Sequence, residues 1–246
     1  MRPLIFAHRG ASARHPENTL EAFRAAIRLG ADGIELDVQL TRDREVVVIH
    51  DPWLERTTNG TGQVRNHSFA ELRRLSAGSW LHPRFAPCKI PHLREVLALV
   101  RPTRLQVIVE LKNFFVPQPE LEERVVELLR SYEMEERAVI SSFNFNSLLQ
   151  VKKLAPAIRT ALLYIGHLRE PWAIAQQYQT EQLHVPKEEI TPALINQSHR
   201  HGLEVIGWTI NRSQAMLQLR KLGIDGIITN YPLRARKLFT SGPNAG

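Results

Sequence analysis

One cysteine, Cys88, stands in the whole chain. That excludes an internal disulfide and fits a reducing compartment. Long apolar runs are missing as well: none approaches the ~18 to 20 residues a membrane span needs. Stable membrane insertion is therefore not expected. The first apolar run covers only residues 4–7 and meets His8 and Arg9 at once, which is not a secretory signal pattern. We expect a soluble, cytoplasmic protein. Long basic tracts are also missing, although the net charge is +7. Lys and Arg are scattered, and small groups such as Arg73-Arg74 and Lys152-Lys153 have no interleaved aromatics. Such groups read as solvated helix faces, so a nucleic-acid role is not supported. The charge still favours an anionic partner such as a phosphorylated substrate.

What the 246 residues do have is alternation, and 43% of them are hydrophobic. Short apolar runs predict strands over residues 4–7, 33–39, 105–110, 138–142, 159–163, 182–185, 204–208 and 226–229, with a further extended run over 45–49. Between them, apolar residues at helical spacing predict helices. The first is capped by Asn18 or Thr19 and ends near Gly30. Others cover 93–100, 120–132, 145–154, about 172–177, 192–201, 213–222 and 233–239. Eight strand-helix units in about 250 residues predict an α/β fold, a (β/α)8 TIM barrel. Residues 51–91 break the alternation and read as a small insertion after the second strand region. Asn59-Gly60 reads there as a hairpin turn, and 69–75 as the insertion's helix. Trp53, Phe69, Trp80, Leu81 and Phe85 are expected to form its own core. Residues 1–246 are taken as one domain, with a frayed tail over 240–246.

Charged residues cluster where the early strands end. Glu35 and Asp37 are two apart, so both point to one face of a strand, and Glu110 and Lys112 repeat that spacing. In a barrel, the C-terminal strand ends are where sites are built. Glu35, Asp37 and Glu110 form an all-oxygen set that suits one hard divalent cation, Mg2+ or Ca2+. The alternative is salt bridging to Arg9 and Lys112. His8 and His50 are the acid/base candidates, since imidazole titrates near neutrality; a lone histidine could equally be a packing residue. Arg9 and Lys112 can neutralise an anionic group such as a phosphate. Phe143 and Trp208 can pack on substrate carbons, or can serve as core aromatics. Asp51 can orient His50.

Five ordered blocks, His8-Arg9-Gly10, Pro16-Glu17-Asn18-Thr19, 33–38, 48–51 and 56–60, resemble the signature blocks of the glycerophosphodiester phosphodiesterase family. The resemblance continues to Ile228-Thr229-Asn230 and covers nearly the whole chain. It implies a metal-dependent hydrolase with Glu35, Asp37 and Glu110 as metal ligands. It also implies Arg9 and Lys112 as substrate-binding residues, and Trp208 matches the family more closely than Phe143. The implied substrate is a small glycerophosphodiester, cleaved to sn-glycerol 3-phosphate and an alcohol. The implied nucleophile is the adjacent glycerol hydroxyl, giving a cyclic phosphate that water opens. The order in which the two histidines act stays open, as does the oligomeric state. Cys88-Lys89 and His92-Leu93-Arg94 depart from the family pattern, and Asn230 stands where many relatives have Asp. A lysophospholipid-cleaving enzyme and a non-catalytic phosphate-ester binder are the competing readings.

Overall fold

Strand β1 (Leu4–His8) bonds to β2 (Gly33–Leu40) on one side and to β9 (Gly226–Thr229) on the other, which joins the two ends of the sheet. The computed structural model describes residues 2–240. Going round from β1 and β9, the order is β8 (Glu204–Trp208), β7 (Gln182–Pro186), β6 (Arg159–Leu163), β5 (Ala138–Ser142), β4 (Gln106–Leu111) and β2. All eight run parallel, so the fold is the expected (β/α)8 barrel. The extended run over 45–49 becomes β3 (Val46–Val48), antiparallel to β2 and outside the barrel.

Helices α1 (Leu20–Arg28), α3 (Leu93–Val100), α4 (Leu121–Ser131), α5 (Phe145–Leu154), α6 (Pro171–Gln177), α7 (Pro192–Arg200), α8 (Ser213–Lys221) and α9 (Pro232–Thr240) link or follow the strands. None of the described helices is long and apolar enough to cross a membrane. Of the frayed tail expected over 240–246, Thr240 ends α9 and the rest lies outside the described residues. Thr19, not Asn18, caps α1 by accepting the Ala22 N–H at 3.3 Å. Two helix-to-strand turns, at Gly30 and Gly223, carry the same motif. In each an Asp accepts a backbone N–H of the neighbouring strand, Asp32 from Ile5 and Asp225 from Val205.

Alternation sorts the strand residues. Ile34, Leu36 and Val38 of β2 face the helices and join the larger apolar layer. Phe6, Ile108, Val139, Ala161, Ile206 and Ile228 fill the barrel interior. Gly33 makes room for Phe6, since a Cβ there would lie 2.6 Å from the ring. Above that floor the inward positions turn polar: Glu35, Asp37 and Glu110, in register with His8, Glu110 and Ser141 on neighbouring strands.

The insertion over 51–91 packs on β3 and has little regular structure. It holds α2 (Phe69–Leu72) and two single 3-10 turns. The expected helix over 69–75 thus ends at Leu72. Asn59-Gly60 is not a two-residue hairpin turn. Neither residue has the positive φ that turn requires; Gly62 does, at 90°. Asn59 instead ties two strings of the loop together, bonding Ser76 through its side chain at 2.7 Å and its backbone at 3.2 Å. The insertion's core is mostly aliphatic: Val47, Ile49, Leu54, Val64, Leu72, Ala77 and Ile90, with Phe69 and Leu75 against it. Of the five residues expected there, Phe69 packs on this cluster and Phe85 is buried, but Trp53, Trp80 and Leu81 are exposed. The insertion roofs β3, and its short aliphatic side chains close that gap before the indoles are needed.

Candidate active site

Where β1 ends, the chain reverses through two left-handed residues, Arg9 (φ 55°) and Gly10 (φ 83°). A Cβ on Gly10 would lie 2.7 Å from the Ala22 carbonyl carbon, so only glycine fits this approach. The reversal aims the Arg9 N–H at Glu35, which accepts it through Oε2 at 3.0 Å. It also folds the guanidinium back over the barrel mouth. Arg9 Nη1 donates to Glu17 Oε1 at 2.8 Å, and Nε lies 3.2 Å from Asp37 Oδ2.

Glu35, Asp37 and Glu110 converge below Arg9. All are buried, and a carboxylate oxygen from each lies within 4.8 Å of the others. Lys112 Nζ donates to Glu110 Oε1 at 2.6 Å and sits 3.7 Å from Asp37 Oδ1. Asn18 Nδ2 donates to Asp37 Oδ2 at 2.8 Å. Asp37 Oδ1 is buried and has no hydrogen-bond partner.

Burial and mutual repulsion act differently on the three acids. Burial, then Asp37 and Glu110, push Glu35 well above the carboxylate range. Burial and Asp37 raise Glu110 to about 7. Burial also opposes the Asp37 charge, but Arg9 and Lys112 outweigh it and hold that carboxyl well below its usual range. Two cations thus balance one acid well and leave two others prone to protonation. A hard cation relieves the same repulsion without a proton. The residues present, three clustered carboxylates with one buried oxygen that lacks a hydrogen bond, fit such an ion.

The imidazoles have different partners. His8 Nδ1 is 2.6 Å from the Asn230 amide oxygen, so Nδ1–H donates and Nε2 keeps its lone pair. Burial, and then Arg9, lower His8 to about 4. His50 Nδ1 faces a carboxylate, Asp51 Oδ1, at 2.5 Å. Burial lowers His50 too, while Asp37 and Asp51 pull it back up. The backbone under His50 is held by Gln39, whose Nε2 donates to the carbonyls of Ile49, His50 and Asp51 at 3.1, 3.0 and 2.8 Å.

His8, Arg9, Glu35, His50, Glu110, Lys112, Phe143 and Trp208 line one cavity of about 300 Å³. Asp37 reaches them through the carboxylate cluster. All nine site residues read from the sequence are therefore in one place. Phe143 and Trp208 meet edge to face at 6.0 Å, and Lys112 Nζ lies 6.0 Å above the Phe143 ring. Sequence reasoning missed Gln39, Asn18 and the buried His184, which also lines the cavity. Gln39 sits two residues beyond Asp37 on the same face, a spacing that was available as a signal.

The Glycerophosphoryl diester phosphodiesterase family matches residues 8–234 of the chain. A glycerophosphodiester phosphodiesterase of Caldanaerobacter subterraneus subsp. tengcongensis is 44% identical over 242 residues, covering 98% of this chain and all of that protein. One from Bacillus altitudinis is 37% identical over 95% of this chain and 97% of its own. Among solved structures, a phosphodiesterase of Oleispira antarctica in complex with the product sn-glycerol-3-phosphate superposes with a TM-score of 0.91. It is 29% identical, with 98% of both chains covered.

Proposed function

Because the chain belongs to the glycerophosphoryl diester phosphodiesterase family, we propose that the cavity at the barrel mouth carries out its reaction, the hydrolysis of glycerophosphodiesters to sn-glycerol 3-phosphate and an alcohol. The observation that carries the reading is convergence: His8 and His50, the cations Arg9 and Lys112, and two of the three clustered carboxylates, Glu35 and Glu110, line one cavity. We take residues 1–246, insertion included, as one catalytic domain.

Glu35, Asp37 and Glu110 would hold one divalent cation, Mg2+ or Ca2+. When bound, it supplies positive charge against the phosphodiester and the charge that develops on it. Arg9 and Lys112 add fixed cations beside the same group, and Phe143 and Trp208 pack on the glycerol carbons. His8 is the general base: its low proton affinity keeps it neutral, and Asn230 leaves Nε2 free to take the proton of the glycerol hydroxyl. His50 is the general acid. Burial lowers its proton affinity on balance, the Asp51 carboxylate offsets part of that cost, and the protonated form donates to the departing alcohol oxygen. The hydroxyl closes a cyclic phosphate as the alcohol leaves. In the second half the roles reverse. His50 accepts a proton from water, water opens the ring, and His8 returns its proton to the glycerol oxygen.

The test is release of glycerol 3-phosphate from glycerophosphocholine and glycerophosphoethanolamine, with Mg2+, Ca2+ or EDTA. Release needs a divalent cation and falls about 100-fold or more in His8→Ala and His50→Ala. Release that persists in EDTA, or in either variant, overturns the site assignment.

One observation favours a lysophospholipid as a second substrate. Four rings lead outward from the cavity: Trp208, Phe143, Phe114 and Phe115, with neighbouring centroids 6.0, 6.3 and 4.9 Å apart. Beside them runs a groove of about 480 Å³ that includes Leu163, Tyr164 and Ile165. Phe115 and Ile165 are 88% and 77% exposed, and the buried Tyr164 hydroxyl has no partner. Under this reading kcat/KM rises with acyl-chain length, and Ile165→Asn flattens the rise without changing turnover of glycerophosphocholine. A flat profile in the unmodified enzyme removes it.

A further inference from the structure

Arg56 lies in the insertion, outside the cavity, yet its guanidinium joins the two halves of the site. One edge grips Glu17: Nη1 donates to Oε2 at 2.9 Å and Nη2 to Oε1 at 2.8 Å. The other edge grips Asp51: Nε donates to Oδ2 at 2.5 Å and Nη2 to Oδ1 at 3.0 Å. Each carboxylate then passes the contact inward. Glu17 Oε1 also accepts from Arg9 Nη1 at 2.8 Å, and Asp51 Oδ1 faces His50 Nδ1 at 2.5 Å. The result is a continuous chain, Arg9–Glu17–Arg56–Asp51–His50, with alternating charge and one guanidinium at its centre.

We propose that Arg56 is a positioning residue that sets Arg9 and His50 together, so that the insertion completes the active site. The proposal rests on the roles given above to Arg9 and His50. Only a planar fork can grip two carboxylates on two edges at once, whereas a lysine ammonium is a point charge. Glu17 belongs to the loop after β1 and Asp51 to the segment after β3. Neither lies in regular structure. Gln39 holds the Asp51 backbone, but without Arg56 each side-chain carboxylate keeps only its hydrogen bond to the residue it orients. The alternative is that Arg56 merely staples the insertion to the barrel, as an ordinary surface ion pair of little energetic weight.

The two roles separate in the kinetics. Holding Asp51 on His50 acts on kcat, and holding Glu17 on Arg9 acts on KM. Arg56→Gln is expected to lower kcat and raise KM, each by about tenfold or more, the scale for supporting contacts of this kind. Because the contacts are shared, Arg56→Gln/Asp51→Asn has a kcat within about twofold of Asp51→Asn alone. Arg56→Gln/Glu17→Gln likewise matches the KM of Glu17→Gln. Arg56→Lys recovers one of the two parameters at most. Guanidinium ion added to Arg56→Ala restores part of kcat. Unchanged kcat in Arg56→Gln overturns the proposal. So do double variants whose losses multiply, including the case where Arg56→Gln also melts at lower temperature. His50→Ala is the control: if it keeps full activity, the catalytic assignment has failed rather than the strap.

Discussion

Asn18 grips Asp37 twice, donating from Nδ2 to Oδ2 at 2.8 Å and accepting the Asp37 backbone N–H through Oδ1 at 3.4 Å. To do so it adopts a left-handed φ of 57°, which asparagine tolerates better than most residues. One oxygen of Asp37 is thereby used, and the other, Oδ1, has no hydrogen bond and only the Lys112 ammonium 3.7 Å away. Asn18→Ala frees the carboxylate to rotate. The expected outcome is a loss of divalent-cation affinity of about 10- to 100-fold, read by calorimetric titration. An unchanged Kd would show that Asn18 orients nothing.

The acidic trio stores repulsion that a cation releases. At a hundredfold excess over its Kd, a ligand bound only by the folded state adds about 2.7 kcal/mol. For a chain of this length that is a rise in Tm of about 5 °C or more. Calcium or magnesium should produce it in the parent chain, EDTA should reverse it, and Glu110→Ala should abolish it. An equal rise in Glu110→Ala would place the ion elsewhere.

Asn230 gives His8 a neutral partner. Asn230→Asp puts a carboxylate at the same place and raises the proton affinity of His8 from its value of about 4. A base whose pKa rises is protonated over more of the acid range. The acid limb of the kcat/KM profile should therefore move to higher pH, with the plateau retained. A limb that stays put would assign the limiting ionisation to another group.

Gly10→Ala places a Cβ against the Ala22 backbone at a positive φ. The expected loss of stability is about 2–4 kcal/mol, combining backbone strain with overpacking. Urea titration measures it. A loss below about 1 kcal/mol would mean that the β1–α1 turn yields more easily than its packing suggests.

Arg56 holds Asp51 down to about 2 against burial, with help from His50, and holds Glu17 below its usual range. Carboxyls depressed by folding contribute stability above their unfolded pKa and lose it as pH falls through the folded value. The stability gap between the parent chain and Arg56→Gln should be full near pH 5 and shrink towards about pH 2. Denaturant midpoints at several pH values measure it. A constant gap would assign the effect to packing of the arginine stem.

The barrel was legible because its strands carry their own boundaries. Helices 145–154 and 93–100 and strands 138–142, 159–163, 204–208 and 226–229 fall where the sequence put them. Parallel strands are buried on both faces, so each is an apolar run that polar residues or glycine can end. The charged residues at their mouths were legible as exceptions to that rule. The insertion was not, because its core draws single aliphatics from distant turns and leaves no period to read. Trp53 and Trp80 misled for that reason. Glu17 and Arg56 stood inside recognised blocks, but nothing local says that they meet 39 residues apart. Pairings of that kind depend on closure of the whole fold.

His8 and Asn230 touch across a separation of 222 residues. His8 therefore gains this partner only when the last strand has joined the first. During synthesis His8 leaves the ribosome 222 residues ahead of Asn230. A nascent chain that has not reached Asn230 thus lacks this contact. The closing seam makes the site a report on closure of the barrel.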